Sequence, residues 1–188
     1  PLAVPAAGKR NVIAVAEEAR AFVAARLPAT AGPRIVVNPK ASTRLRSMPG
    51  PATQRLVQHL LAAWPQAQVV LTQPLAMQHP RLLDLSADIT DADRLAALVA
   101  LADGLIGVDT YTQHLADATS TPAVTLYTSV SPGLYPYYPL GESLLLPGAQ
   151  ALPAWGRMKV PPEEWARVAA AYEAAWQALE PGAVLAAL

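Results

Sequence analysis

The stretch Ala102-Asp-Gly-Leu-Ile-Gly-Val-Asp-Thr-Tyr-Thr-Gln-His-Leu-Ala-Asp-Ala-Thr119 decides how this chain is read. Its run Gly104 to Val108 carries no polar side chain, as a strand buried on both faces requires, and helical spacing begins directly after Asp109-Thr110. The first N–H groups of a helix lack internal partners and carry the positive end of its dipole. A strand that turns straight into a helix therefore offers a resting place for an anion such as a phosphate.

The same alternation of apolar strands and amphipathic helices extends outward from this unit. Strands are predicted at Arg34-Ile-Val-Val-Asn38, Ala67-Gln-Val-Val-Leu-Thr72, Arg81-Leu-Leu-Asp-Leu85 and Ala123-Val-Thr-Leu-Tyr127. Helices are predicted from Asn11 to Leu27, Ala52 to Trp64, Asp91 to Ala102, Thr110 to Thr119 and Glu163 to Leu179. Thr90 with Asp93 reads as the capping signal of the third. Strands that are apolar throughout and separated by helices imply an α/β fold, a doubly wound parallel sheet covered on both faces. Ligands of such sheets bind beyond the carboxyl ends of the strands, which places residues 38–48, 73–79, 108–112 and 128–138 on one rim.

Composition narrows the function. Of 188 residues 53% are hydrophobic, enough for a sizeable core, and 14 basic residues balance 14 acidic ones, so no broad surface for nucleic acid is expected. Absence of cysteine removes disulfide and thiolate chemistry. No run of about 18 apolar residues occurs, and the first residues do not show a secretory pattern, so a cytoplasmic location is expected. The 19 prolines punctuate the periodic segments.

Three motifs carry a family likeness: Gly107-Val-Asp-Thr-Tyr-Thr-Gln-His-Leu-Ala-Asp-Ala118, then Thr121-Pro-Ala-Val-Thr-Leu-Tyr127, then Ser131-Pro-Gly133. Together they resemble the ADP-heptose:lipopolysaccharide heptosyltransferases, GT-B glycosyltransferases built of two Rossmann-like halves. The likeness covers about Arg34 to Tyr138 and corresponds to the C-terminal, donor-nucleotide half. It implies a connecting helix over residues 1–30 and a nucleotide-sugar-binding domain over 31–188. It also implies a nucleoside-diphosphate sugar such as ADP-heptose as donor, with no cofactor and no metal, and a role in lipopolysaccharide biosynthesis. The acceptor site and general base would lie in an N-terminal half outside this chain, and the complete enzyme would associate peripherally with a membrane.

Position by position, the resemblance implies that Asp109 meets donor-sugar hydroxyls and that the N–H groups of Thr110, Tyr111 and Thr112 hold the diphosphate. Arg46-Ser-Met-Pro49 is similar to the family's Lys-x-Trp-Pro, so Arg46, with Arg44 beside it, would supply the offsetting cation. His114, one turn past Thr110, would steady the turn. Tyr111 departs from the family's glycine, and Gln73-Pro-Leu-Ala-Met-Gln-His79 lacks its glycine-then-glutamate pattern.

Each residue also has a plainer reading. Asp109 suits a helix N-cap as well as a ligand contact, and its replacement by alanine is expected to weaken donor binding with little loss of fold. Asp91-Ala-Asp93 opens a helix, where carboxylates favour the dipole over a metal. His59 and His79 form no ligand spacing. Ser131 to Pro139 is an aromatic rim or a rigid packed loop. Two function classes follow: a donor-binding half of a transferase, incomplete by itself, and a degenerate, non-catalytic binding or assembly module of the same fold.

Overall fold

The computed structural model describes residues 12–134 and 138–188. Six parallel strands run in the order β3-β2-β1-β4-β5-β6: β1 Arg34–Asn38, β2 Gln68–Leu71, β3 Leu82–Asp84, β4 Gly104–Val108, β5 Ala123–Tyr127 and β6 Gly141–Leu145. The helices are α1 Glu17–Ala24, α2 Gly50–Ala63, α3 Ala92–Ala100, α4 Thr112–Thr119, α5 Pro162–Gln177 and α6 Pro181–Ala186.

Alternation along the strands builds two cores. Ile35, Val37, Val69, Leu71, Ile106 and Val108 face α2, α6 and the end of α5, where Trp176 is buried. Val36, Val70 and Leu105 point the other way, against α1, α3 and α4. Both faces are thus covered, as the apolar strands predict, and each fully buried Leu, Ile or Val contributes roughly 1.5–3 kcal/mol. Register places Asn38 beside Gly107 and Val108 beside Leu126, so the central strands end level with one another.

Several elements depart from expectation. The first helix spans only Glu17–Ala24, although residues up to Asn11 carry helical spacing. The third is capped by Asp91, whose Oδ1 accepts from the Arg94 N–H at 2.8 Å, while the Thr90 hydroxyl accepts from the Arg94 guanidinium. β6 and α6 were not foreseen. Gly141-Glu-Ser-Leu-Leu145 is an edge strand with two of its five residues exposed and none buried, so it lacks the apolar run that marks the four central strands. The crossovers from β2 to β3 and from β5 to β6 contain no α-helix among the described residues.

Three arginines close the carboxyl ends of helices, where the last carbonyls lack internal partners. Arg81 donates to Leu61, Trp64 and Ala67 carbonyls at 2.7–2.9 Å, gathering the end of α2. Arg55 donates to Trp176 and Gln177 carbonyls at 2.8 Å and locks the end of α5 onto α2. Arg34 reaches the Leu101 carbonyl at the end of α3 and the Pro28 carbonyl. Three of the chain's 14 basic side chains are thus engaged at helix ends.

Replacing Arg81 by Met, which keeps the stem and removes the three donors, is expected to cost about 2–3 kcal/mol, read as a lower urea midpoint at unchanged slope. Arg81→Lys should recover only part of it, since one ammonium cannot span the same three acceptors.

Candidate functional site

β1 and β4 are neighbours, but the chain leaves them in opposite directions, toward β2 on one side and β5 on the other. The crevice outside their carboxyl ends is the switch point where ligands of doubly wound sheets bind. Loop 39–48, with its single turn Arg44–Arg46, borders one side, and the turn 109–111 borders the other.

A buried polar relay forms the base of this crevice. Thr72 Oγ1 donates to Asn38 Oδ1 at 2.6 Å, and Asn38 Nδ2 donates to Thr112 Oγ1 at 3.2 Å. All three side chains are nearly fully buried, so each hydrogen bond offsets a desolvation cost and holds the first residue of α4 against the ends of β1 and β2.

Asp109 prolongs β4. Its N–H donates to the Leu126 carbonyl at 3.1 Å, and the residue is only 2% exposed. Arg46 Nη1 donates to the Asp109 carbonyl at 2.8 Å and lies 3.4 Å from its Oδ2, while Arg46 Nη2 donates to Ser42 Oγ at 2.7 Å. The other carboxylate oxygen accepts from Gln113 Nε2 at 3.4 Å, and Tyr127 Oη donates to Gln113 Oε1 at 2.6 Å. The phenol fixes which end of the amide faces Asp109. Asp109 therefore does not cap α4, whose preceding residue is Tyr111, and its side chain faces inward. Arg46, with 11% of its side chain exposed, bridges the crevice to Asp109 instead of standing free.

The amides beyond Asp109 are arranged differently. Among the described residues, the N–H groups of Thr110, Tyr111 and Thr112 donate to no other group. They form a short open run at the start of α4, the position where its dipole favours negative charge. The Tyr111 ring is 48% exposed and does not enter the core. Burial, then the Asp91 carboxylate, raises its phenol above the ordinary value, so it remains a neutral donor at the rim.

Two expected site residues lie elsewhere. Arg44 is exposed and borders a cavity of about 180 Å³ with Trp165, Tyr172 and Trp176, on the side of the loop that faces α5. Its neighbour Leu45 is buried against Val168 and Tyr172, which turns positions 44 and 46 to different sides. His114 Nδ1 hydrogen-bonds Tyr138 Oη, and the rings meet edge to face. This fastens α4 to the segment before β6. Of the aromatic run Ser131 to Pro139, residues 135–137 lie outside the described residues.

Asn38, Thr72, Gln113 and Tyr127 were missed as site residues. A polar residue ending an otherwise apolar strand is the signal that exposes Asn38 and Thr72; nothing in the sequence pairs Gln113 with Tyr127. No group of three or more His, Asp or Glu side chains able to hold a metal ion occurs among the described residues, and no helix there is long and apolar enough to cross a membrane.

The burial of Asp109 ties it to the fold as well as to the crevice, against the expectation that its loss costs little stability. Asp109→Ala would leave the Arg46 guanidinium bonded to the main-chain carbonyl and to Ser42 but without its carboxylate counter-charge, at a cost of about 1–3 kcal/mol or a drop of roughly 2–12 °C in Tm. The double variant Asp109→Ala/Arg46→Met should melt higher than additivity allows, because the stranded cation is gone.

Comparison with known proteins bears on this geometry. The family model described as "Glycosyltransferase family 9 (heptosyltransferase)" matches residues 4–155. No curated protein matches the chain significantly in sequence. Among solved structures, Escherichia coli ADP-heptose lps heptosyltransferase II is 20% identical with a TM-score of 0.57, over 71% of this chain and 44% of that one. E. coli heptosyltransferase WaaC with ADP-2-deoxy-2-fluoro heptose is 22% identical with a TM-score of 0.53, over 70% of this chain and 42% of the other. A family 9 glycosyl transferase from Veillonella parvula DSM 2008 is 15% identical with a TM-score of 0.59, over 94% of this chain and 57% of that structure. At these identities the structures share the Rossmann-like fold, and the matches span about half of their lengths. With the family model covering most of its residues, the chain belongs to glycosyltransferase family 9, the heptosyltransferase family.

Proposed function

We propose that this chain is the C-terminal, donor-nucleotide half of a heptosyltransferase-like enzyme that transfers a sugar from a nucleoside-diphosphate donor to a hydroxyl of a glycan or protein. The observation that carries the reading is the open run of amides at Thr110, Tyr111 and Thr112, set at the switch point beside the Arg46 guanidinium. A diphosphate laid against those amides gains hydrogen bonds and the helix field together, and charge developing on the leaving diphosphate is stabilised by groups already in place. Asp109 and Ser42 hold the guanidinium at the crevice, so Asp109 acts as a positioning residue for Arg46. Its buried carboxylate is not presented to a sugar in this arrangement. The acceptor and the base that takes its proton belong to an N-terminal half outside these residues. Residues 1–30, including α1, would form the connection to it. No metal is required by this scheme, and ADP-heptose is the donor suggested by the family and by the heptose analogue named for WaaC.

A second reading is supported by the same pair of residues. Arg46 is engaged by Asp109, and Tyr111 stands where the family has glycine, a combination suited to a degenerate binding or assembly module that no longer holds nucleotide.

Calorimetry with ADP separates the two. The transferase reading expects saturable binding that Arg46→Gln weakens about tenfold, the loss of one charge-assisted contact. Absence of binding at millimolar ADP, recovered in Tyr111→Gly, would establish the degenerate module. Absence in both proteins would remove nucleotide binding from this chain.

A further inference from the structure

The loop that carries Arg46 starts on β1, crosses the end of β4 and is fastened at the end of β5, two strands away. Along its own length it is closed by the Met48 N–H, which donates to the Pro39 carbonyl at 2.8 Å. Ser47 adds a second closure, its Oγ accepting from the Ala41 N–H at 3.0 Å and donating to the Thr43 carbonyl at 2.8 Å. Bonds within a loop fix its shape. Its tilt over the sheet, and so the place of the guanidinium, is set by contacts to other elements.

Thr128 supplies such a contact. It is 1% exposed, lies one residue past the end of β5, and its Oγ1 donates to the Leu45 carbonyl at 2.8 Å. Because Met48 turns its N–H to Pro39, the Leu45 carbonyl receives no backbone N–H among the described residues, and the Thr128 hydroxyl is what satisfies it. That carbonyl shares a peptide plane with the Arg46 nitrogen and Cα, so the hydrogen bond sets where the arginine side chain begins. The Leu45 side chain is buried against Val168 and Tyr172, which holds the same residue from the α5 side. Asp109 holds the far end of Arg46 at the carboxyl end of β4. The side chain is thus fixed at both ends by neighbouring strands. A guanidinium grips phosphate only over a narrow range of distance and angle, so a shifted loop loses the contact without losing the charge.

We propose that Thr128 is a positioning residue for nucleotide binding, acting through the Leu45 carbonyl on Arg46. The assignment rests on the donor reading, and its probe is ADP. Calorimetry of Thr128→Val should show about fivefold weaker binding, short of the loss of about tenfold expected when the cation itself is removed, and Thr128→Ser should restore it. Adding Thr128→Val to Arg46→Gln should change the affinity no further, since the contact it serves is already gone. Thr121→Val removes another buried hydroxyl, which donates to the Val99 carbonyl at 2.9 Å before the opposite end of β5, and should lower Tm while leaving ADP binding as in the wild type. NMR of the Arg46 guanidinium needs no nucleotide. Its Nε is buried without a hydrogen-bond partner, so exchange of that proton with water reports how firmly the loop is seated, and it should be faster in Thr128→Val than in the wild type or Thr128→Ser. Thr128→Ala serves the same comparisons if valine prevents folding. Wild-type affinity in the hydroxyl-free variant, losses that multiply with Arg46→Gln, or an equal loss in Thr121→Val would overturn the assignment. A wild type that binds no ADP would end the donor reading instead, and unchanged guanidinium exchange would then show separately that Thr128 does not hold Arg46.

Discussion

The contact between Arg46 and Asp109 joins the loop after β1 to the turn after β4, across the point where the chain leaves the sheet in opposite directions. Parallel strands at a switch point diverge by construction, and backbone hydrogen bonding stops where they end. Something else must hold the two rims at a fixed separation. Here a guanidinium reaches a carbonyl and a carboxylate on one residue, and the Asn38 relay to Thr72 and Thr112 does the same one layer below. The amides of α4 are presented at a defined place because both layers are intact.

This tie also explains the inward turn of Asp109. A capping aspartate bends back over its own helix to meet the second or third N–H. Asp109 is still part of the β4–β5 ladder through its N–H, so its side chain starts one residue too early and is drawn to Arg46 and Gln113. The cap position falls to Tyr111, whose side chain makes no capping hydrogen bond. The helix therefore keeps its first amides open, and the acid that a sequence reader assigns to them serves the neighbouring loop.

The fold was legible because the four central strands are almost wholly apolar and buried on both faces, a pattern that few other architectures produce. β6 escaped because an edge strand needs only one apolar face, and α6 because six residues are too few for a period to show. The crevice at the strand-to-helix turn was legible, since Arg46 and Asp109 do meet there. The division of labour within it was not. Whether a carboxylate faces solvent or a partner depends on contacts across more than sixty residues, and adjacent positions such as Arg44 and Arg46 separate once Leu45 is buried between them. Sequence spacing carries no record of that choice.

Charge is distributed over this molecule by the same logic. Arg34, Arg55 and Arg81 each meet helix-end carbonyls, so these three cations serve the fold. Arg46 stays at the switch point next to open amides, a setting that favours anions.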